Sequence, residues 1–212
     1  MKVVMAYGDS LTWGSNAESE FRHRYEDRWP SVLEAGLGGQ VRVIAEGLGG
    51  RTTVYDDYSA AADRNGVRLL PTLLATHSPL DAVVIMLGTN DLKPFVSGSA
   101  IGAAAGMKRL AQIIQTYPYD RGAPVPRVVL VSPPLAGKTA HIDLGPLFDG
   151  AIEESKLFAG HYERVAREMG CAFFDAATIA TVTPIDGIHL DAANTRAIGT
   201  ALVPVVRQVL GL

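Results

Sequence analysis

The run Ala82-Val83-Val84-Ile85-Met86-Leu87, closed by Gly88-Thr89-Asn90-Asp91, decides how this chain folds. Its apolar residues stand in an unbroken row, without the polar alternation of a half-exposed strand. So short a run, rich in β-branched residues and ended by a glycine turn, reads as a strand covered on both faces, as in a parallel sheet. Residues 3–7, 41–45, 128–131 and 172–174 have the same character. Between these runs lie segments with helical spacing. Trp29, Val32, Leu33 and Leu37 recur at i, i+3, i+4 and i+8, with Pro30 in the first turn, where proline is tolerated. Val67, Leu70, Leu73 and Leu74 repeat the pattern, so Pro71 is expected early in that helix or at a bend. Residues 101–117 carry Met107, Leu110, Ile113 and Ile114 on one stripe. Phe158, Tyr162, Val165, Ala166 and Met169 form another, which Gly170 can cap, and residues 193–210 make the last helix. Strands alternating with helices predict an α/β protein of three layers (α/β/α), with a five-stranded parallel sheet in the flavodoxin-like doubly wound order. No repeat, low-complexity tract or Gly/Ser linker divides residues 1–212, which read as one domain.

Composition narrows the function classes. With 212 residues and 48% hydrophobic side chains, the chain can bury a core without metals or disulfides. Its net charge of −3 leaves no basic footprint, so nucleic acid is not an expected partner. Cys171 is the only cysteine, which excludes an internal disulfide and a Cys-based zinc site. The first apolar stretch runs into Gly8-Asp9-Ser10 too soon for a signal peptide, and no run approaches the ~20 residues of a membrane span. A cytoplasmic protein with no membrane partner is expected.

In an open parallel sheet, ligands bind beyond the carboxyl ends of the strands. Each of those ends here carries a polar turn: Gly8-Asp9-Ser10-Leu11-Thr12, then Glu46-Gly47-Leu48-Gly49-Gly50-Arg51-Thr52, Gly88-Thr89-Asn90-Asp91, Ser132-Pro133-Pro134, and finally Asp175 with Asp186-Gly187-Ile188-His189. That convergence points to an enzyme. Ser10 is a candidate nucleophile, although a serine after a strand also serves as a helix cap. The Gly-x-Ser-x-Gly elbow is absent because residue 12 is Thr, which disfavours an α/β-hydrolase. Of the histidines, His23, His77, His141 and His161 read as solvated or capping residues. His189 differs, because Asp186 three residues before it can return its carboxylate to the imidazole and fix the tautomer of a base. Gly49-Gly50 lets a backbone N–H approach a substrate, and Asn90 offers a side-chain amide; both suit an oxyanion, and both also suit ordinary turns.

Gly8-Asp9-Ser10-Leu11, Gly50, Gly88-Thr89-Asn90-Asp91 and Asp186-Gly187-Ile188-His189 together resemble, in order, the four blocks of the GDSL, or SGNH, hydrolases. Trp13-Gly14, Arg51-Thr52-Thr53, Ile85-Met86-Leu87 and Phe173-Phe174-Asp175-Ala176 extend the likeness to the bacterial arylesterase/acyltransferase branch. The resemblance implies Ser10 as nucleophile, His189 as base and Asp186 as its orienter. It also implies the Ser10 and Gly50 N–H groups and Asn90 as oxyanion donors, with Gly50 chosen over Gly49 because it directly precedes Arg51-Thr52.

Rival motifs fail on spacing. Gly47-x-Gly49 lacks the third glycine of a dinucleotide fingerprint, there is no P-loop, and neither Asp56-Asp57 nor Asp81 has neighbours at metal-ligand spacing. The expectation is a serine esterase that needs no cofactor or metal. It would act on a small short-acyl ester, with water or an alcohol as acceptor. Hydrolysis of lysophospholipids, thioesters, acetylated carbohydrates or phosphate esters is the alternative, and a flavodoxin-like ligand-binding module is another. Trp13, Leu135, Ile142 and Phe148 are expected to wall a water-poor alcohol site. Two stretches fall outside the sheet and helices: the charged residues 15–27, with Glu20, Phe21 and Tyr25, and residues 133–149, with Leu144 and Leu147. Both are expected to line a site or a homo-oligomer contact.

Overall fold

A computed structural model describes residues 1–19 and 21–212; Glu20, one of the charges noted above, lies outside the described residues. The chain runs β1 (Lys2–Gly8), α1 (Ser10–Trp13), α2 (Trp29–Gly36), β2 (Val41–Gly47), α3 (Gly66–His77), β3 (Ala82–Met86) and α4 (Ala100–Thr116). It continues with β4 (Arg127–Ser132), α5 (Leu144–Leu147), α6 (Ala151–Ser155), α7 (Phe158–Met169), β5 (Ala172–Asp175) and α8 (Ala192–Leu210). Among these residues no helix is long and apolar enough to cross a membrane.

All five strands pair in parallel in the order β2-β1-β3-β4-β5, the doubly wound order expected from the sequence. The continuous apolar runs are explained by the two cores. Met5, Tyr7, Val83 and Ile85 face one side, where Leu70 and Leu74 of α3, Met107 and Leu110 of α4, and Phe158 and Tyr162 of α7 pack on them. Val4, Ala6, Val84 and Met86 face the other, under Trp29 and Leu33 of α2 and Ile198, Leu202 and Val206 of α8. Adjacent residues thus serve opposite cores, so neither position can be polar. Each fully buried aliphatic side chain contributes about 1.5–3 kcal/mol, several times the few tenths of a helix surface pair, so packing on the sheet decides where the helices lie.

Two prolines sit inside helices, Pro71 in α3 and Pro204 in α8, so Pro71 comes later in its helix than the first turn. Close approach of α2 and α8 depends on Gly199, where an added Cβ would stand 2.6 Å from the Trp29 carbonyl oxygen and from Val32 Cβ. The strand order reverses between β1 and β3, which opens a crevice beyond their carboxyl ends. Ser10 follows one of these strands and Asn90 the other.

Candidate active site

β1 ends at Gly8, and the chain turns at once into α1. Asp9, not Ser10, is the N-cap: its Oδ1 accepts from Leu11 N–H at 2.9 Å. That leaves the Ser10 hydroxyl free of a capping duty. α1 is pressed onto the sheet edge at two glycines. An added Cβ at Gly8 would stand 2.0 Å from Thr12 Oγ1 and 2.7 Å from the Met86 carbonyl oxygen; at Gly47 it would stand 2.2 Å from Trp13 N. Ser10 is therefore held between the Thr12 side chain packed on Gly8 and the α1 backbone packed on Gly47.

The opposing side chains come from the turn before α8. Gly187, at φ +73°, allows Gly187 N–H to donate to Thr183 O at 2.9 Å, while Thr183 N–H donates to His189 O at 2.8 Å. The turn is fastened to the 133–149 loop by Gly137 N–H donating to Gly187 O at 2.8 Å. Within it, Asp186 Oδ1 accepts from the backbone N–H groups of Ile188 (2.9 Å) and His189 (2.8 Å). Asp186 Oδ2 lies 2.6 Å from His189 Nδ1, and His189 Nε2 lies 3.0 Å from Ser10 Oγ. Burial works against the Asp186 charge, but the His189 ring and the backbone donors outweigh it and hold the carboxyl below the ordinary range. An ionised carboxylate can only accept, so His189 Nδ1 carries the proton and Nε2 is left to accept from the Ser10 hydroxyl.

Leu48-Gly49-Gly50-Arg51 forms a turn closed by Arg51 N–H to Leu48 O at 3.0 Å, with Gly50 at φ +80°. A positive φ at the third residue is the type II pattern, which calls for glycine there. Among the described residues, the N–H groups of Ser10, Gly49 and Gly50 make no hydrogen bond. Asn90 is aimed by two acceptors, Arg51 O at 3.2 Å and Asp9 Oδ2 at 3.4 Å. Behind it, Asp91 accepts from Thr53 N–H at 3.0 Å and from the Thr53 hydroxyl, tying the loop after β2 to the turn after β3. Burial pushes Asp9 up to about 6, against the Leu11 N–H and His189. Burial likewise pushes Asp91 up to about 7, against the Thr53 hydrogen bonds.

These groups border a cleft of ≈ 440 Å³ that Ser10, Gly49, Gly50, Asn90 and His189 line together with Leu144, Leu147, Phe148, Arg64 and Lys93. The polar 15–27 stretch contributes Ser15, and residues 133–149 supply the apolar wall. The structure does not bring Trp13 into this lining; the Arg22 guanidinium covers its ring, 4.5 Å from the centroid. Leu135 and Ile142 also stay outside it, exposed to solvent, whereas Phe148 is buried in the wall. His23 departs from its expected solvated state: it is buried, with Nε2 3.0 Å from Leu190 O. Arg64 and Lys93 carry no motif of their own, and only the path of the chain through the loops brings them to the cleft. Among the described residues no group of three or more His, Cys, Asp or Glu is placed to hold a metal ion.

A hydroxyl, an imidazole and a carboxylate in one hydrogen-bonded chain beside several free N–H donors can support attack on an acyl carbon. The sequence pattern of the GDSL-like Lipase/Acylhydrolase family matches residues 6–197. No curated protein matches the chain. Among solved structures, a carbohydrate acetylesterase family member from Sinorhizobium meliloti is 51% identical over the full length of both chains, with a TM-score of 0.98. A carbohydrate acetylesterase from the same organism and the aryl esterase of M. smegmatis are each 38% identical. Each of these two alignments covers 99% of this chain and 100% of the other, with a TM-score of 0.93.

Proposed function

The chain belongs to the GDSL-like Lipase/Acylhydrolase family, and on that premise we propose that it is a serine esterase whose catalytic residues are Ser10, His189 and Asp186. The observation that supports this reading is the unbroken chain Ser10 Oγ–His189–Asp186, at 3.0 and 2.6 Å, opening onto the cleft. In the first half-reaction His189 Nε2 takes the hydroxyl proton as Ser10 Oγ bonds to the acyl carbon. The oxyanion so formed accepts from the N–H groups of Ser10 and Gly50 and from Asn90 Nδ2, which gives up its long 3.4 Å bond to Asp9 Oδ2 to make this one. Collapse breaks the bond to the alcohol, which leaves with the proton held by His189. Water, or a second alcohol, then attacks the acyl-enzyme with His189 again as base.

The small apolar wall of Leu144, Leu147 and Phe148 suits short acyl groups and aryl or alkyl alcohols. The polar side chains of the lining, among them Ser15 and Ser59, also suit an acetylated carbohydrate, the substrate class named for two similar structures. Acyl transfer to an alcohol belongs to the same proposal, because a walled cleft positions a bound alcohol against far more concentrated water. So does a homo-oligomer. Phe21 and Ile142 are 77% and 84% exposed, and Phe21 lines a groove that reaches His189, so a neighbouring subunit there would narrow the entrance. A cytoplasmic location completes the reading and is tested by cell fractionation.

The decisive experiment is labelling with a fluorophosphonate together with hydrolysis of 4-nitrophenyl acetate. Ser10→Ala is expected to lose the label and to lower kcat by several orders of magnitude, with Ser10→Ala/His189→Ala little worse than either single change. A Ser10→Ala protein that keeps more than about a tenth of kcat sinks the assignment. A monomeric mass by light scattering at micromolar protein refutes the oligomer.

A further inference from the structure

Among the described residues, two cations line the Ser10 cleft, Arg64 and Lys93, and no carboxylate does. Lys93 is only 4% exposed. Its ammonium sits among rings, 5.6 Å from the Phe148 centroid and 5.9 Å from that of Phe95. A buried ammonium needs an opposite charge and partners for its hydrogens. The nearest acid, Asp57, has Oδ2 3.6 Å from Lys93 Nζ, outside hydrogen-bond reach. Asp57 is already engaged. Its Oδ2 accepts from Arg64 Nη1 at 2.7 Å, and its Oδ1 accepts from the Ser59 N–H and hydroxyl. Among the described residues, Lys93 Nζ makes no hydrogen bond, and one carboxylate stands against two cations. The Arg64 guanidinium also lies over the turn beside Ser10, where an added Cβ at Gly50 would stand 2.3 Å from Arg64 Nε.

We propose that Lys93 and Arg64 form a subsite for an anionic group, a carboxylate carried by the ester close to its scissile bond. The inference rests on reading Ser10 as the nucleophile. It narrows the substrate class from esters in general to esters with a carboxylate on the acyl or the alcohol side. Burial lowers the Lys93 pKa, with Asp57 pulling the other way, so a second anion entering from the cleft stabilises the ammonium. A hydrogen bond between charged groups in so enclosed a place corresponds to about ten- to hundred-fold in kcat/KM. Selectivity for the charged ester, rather than speed alone, is the signature of the subsite.

The test measures kcat/KM for two matched pairs. The acyl side is read by 4-nitrophenyl hemisuccinate against 4-nitrophenyl methyl succinate. The alcohol side is read by 4-carboxyphenyl acetate against its methyl ester. The native protein is expected to favour the carboxylate member of one pair by about ten- to hundred-fold, and the pair that responds identifies the side. Lys93→Met should erase most of that ratio and Lys93→Arg should keep it; Lys93→Gln substitutes if the Met variant fails to fold. Ratios near or below one in both pairs, with the neutral esters turned over, overturn the subsite and leave the esterase standing. Failure to hydrolyse any of the four esters counts instead against the Ser10 reading. The subsite is then decided by calorimetry on Ser10→Ala, titrated with monomethyl succinate against dimethyl succinate. Tighter binding of the monoester supports it, and equal or weaker binding overturns it.

Discussion

Gly47→Ala tests whether the position of Ser10 is set by the sheet edge rather than by its own loop. Gly47 ends β2, and a Cβ added there would stand 2.2 Å from Trp13 N, 2.6 Å from Trp13 Cα and 2.7 Å from Thr12 C. All three are backbone atoms of α1, so no side-chain rotation relieves the contact. Ordinary van der Waals contact begins near 3.4 Å, so α1 must withdraw by about 1.2 Å, and Ser10 travels with it. A misplacement of about 1 Å in a reacting group costs on the order of 10²-fold in rate, equivalent to about 2.7 kcal/mol of barrier. Overpacking of this kind also destabilises by typically 1–3 kcal/mol. The assay is kcat for 4-nitrophenyl acetate, normalised to folded protein by urea unfolding, with Gly49→Ala as the control because nothing stands within 4 Å of its added Cβ. The expected result is kcat lowered by about 10² in Gly47→Ala and near native in Gly49→Ala. A folded Gly47→Ala protein with native kcat would falsify the claim that this contact seats Ser10.

Asn90→Ala should lower kcat by roughly 10²–10³ with little change in KM, since the donor acts mainly on the developing oxyanion; a normal kcat with a raised KM would place Asn90 in substrate binding instead. Gly50→Ala puts a side chain at φ +80°, which costs roughly 1–2 kcal/mol, and displaces Arg64, so kcat should fall well below that of Gly49→Ala. The reverse ranking moves the oxyanion donor to Gly49. Asp9 and Asp91, pushed up to about 6 and 7, hold protons in the folded protein at pH values where the unfolded chain has released them. Their contribution to stability is therefore complete below about pH 4 and is lost as pH rises through 6 and 7. Urea midpoints should drop from pH 5 to pH 8, less steeply in Asp91→Asn, and midpoints that climb over this range rule the effect out.

The five strands and the long helices were legible because their signal is local. Residues 82–87 stay apolar at every position because alternate side chains enter two different cores, and that requirement is written along the chain itself. The polar turns that end β1, β2 and β3 were legible for a related reason: strand order puts every such turn on one edge, whatever the remaining details of packing. Asp186 and His189 are three residues apart, so their 2.6 Å contact depends on a single turn. The expectation for Trp13 failed to reach the cleft because ring orientation depends on what covers it, here Arg22 from nine positions downstream. His23 looked solvated within a charged stretch, yet Leu190 from the far end of the chain accepts it into a buried site.

The sequence alone therefore determined the sheet order, the helices that cover it and the identity of the polar residues at its carboxyl edge, since period, strand length and turn residues are properties of neighbours along the chain. The tertiary structure decided the rest of the cleft. Arg64 before α3, Lys93 after β3 and Phe148 after α5 become neighbours only when the crossovers close over the edge. Whether Asp57 is an exposed acid or the buried counter-ion of two cations is set by the water each atom loses, and desolvation is a property of packing that no spacing along a chain records.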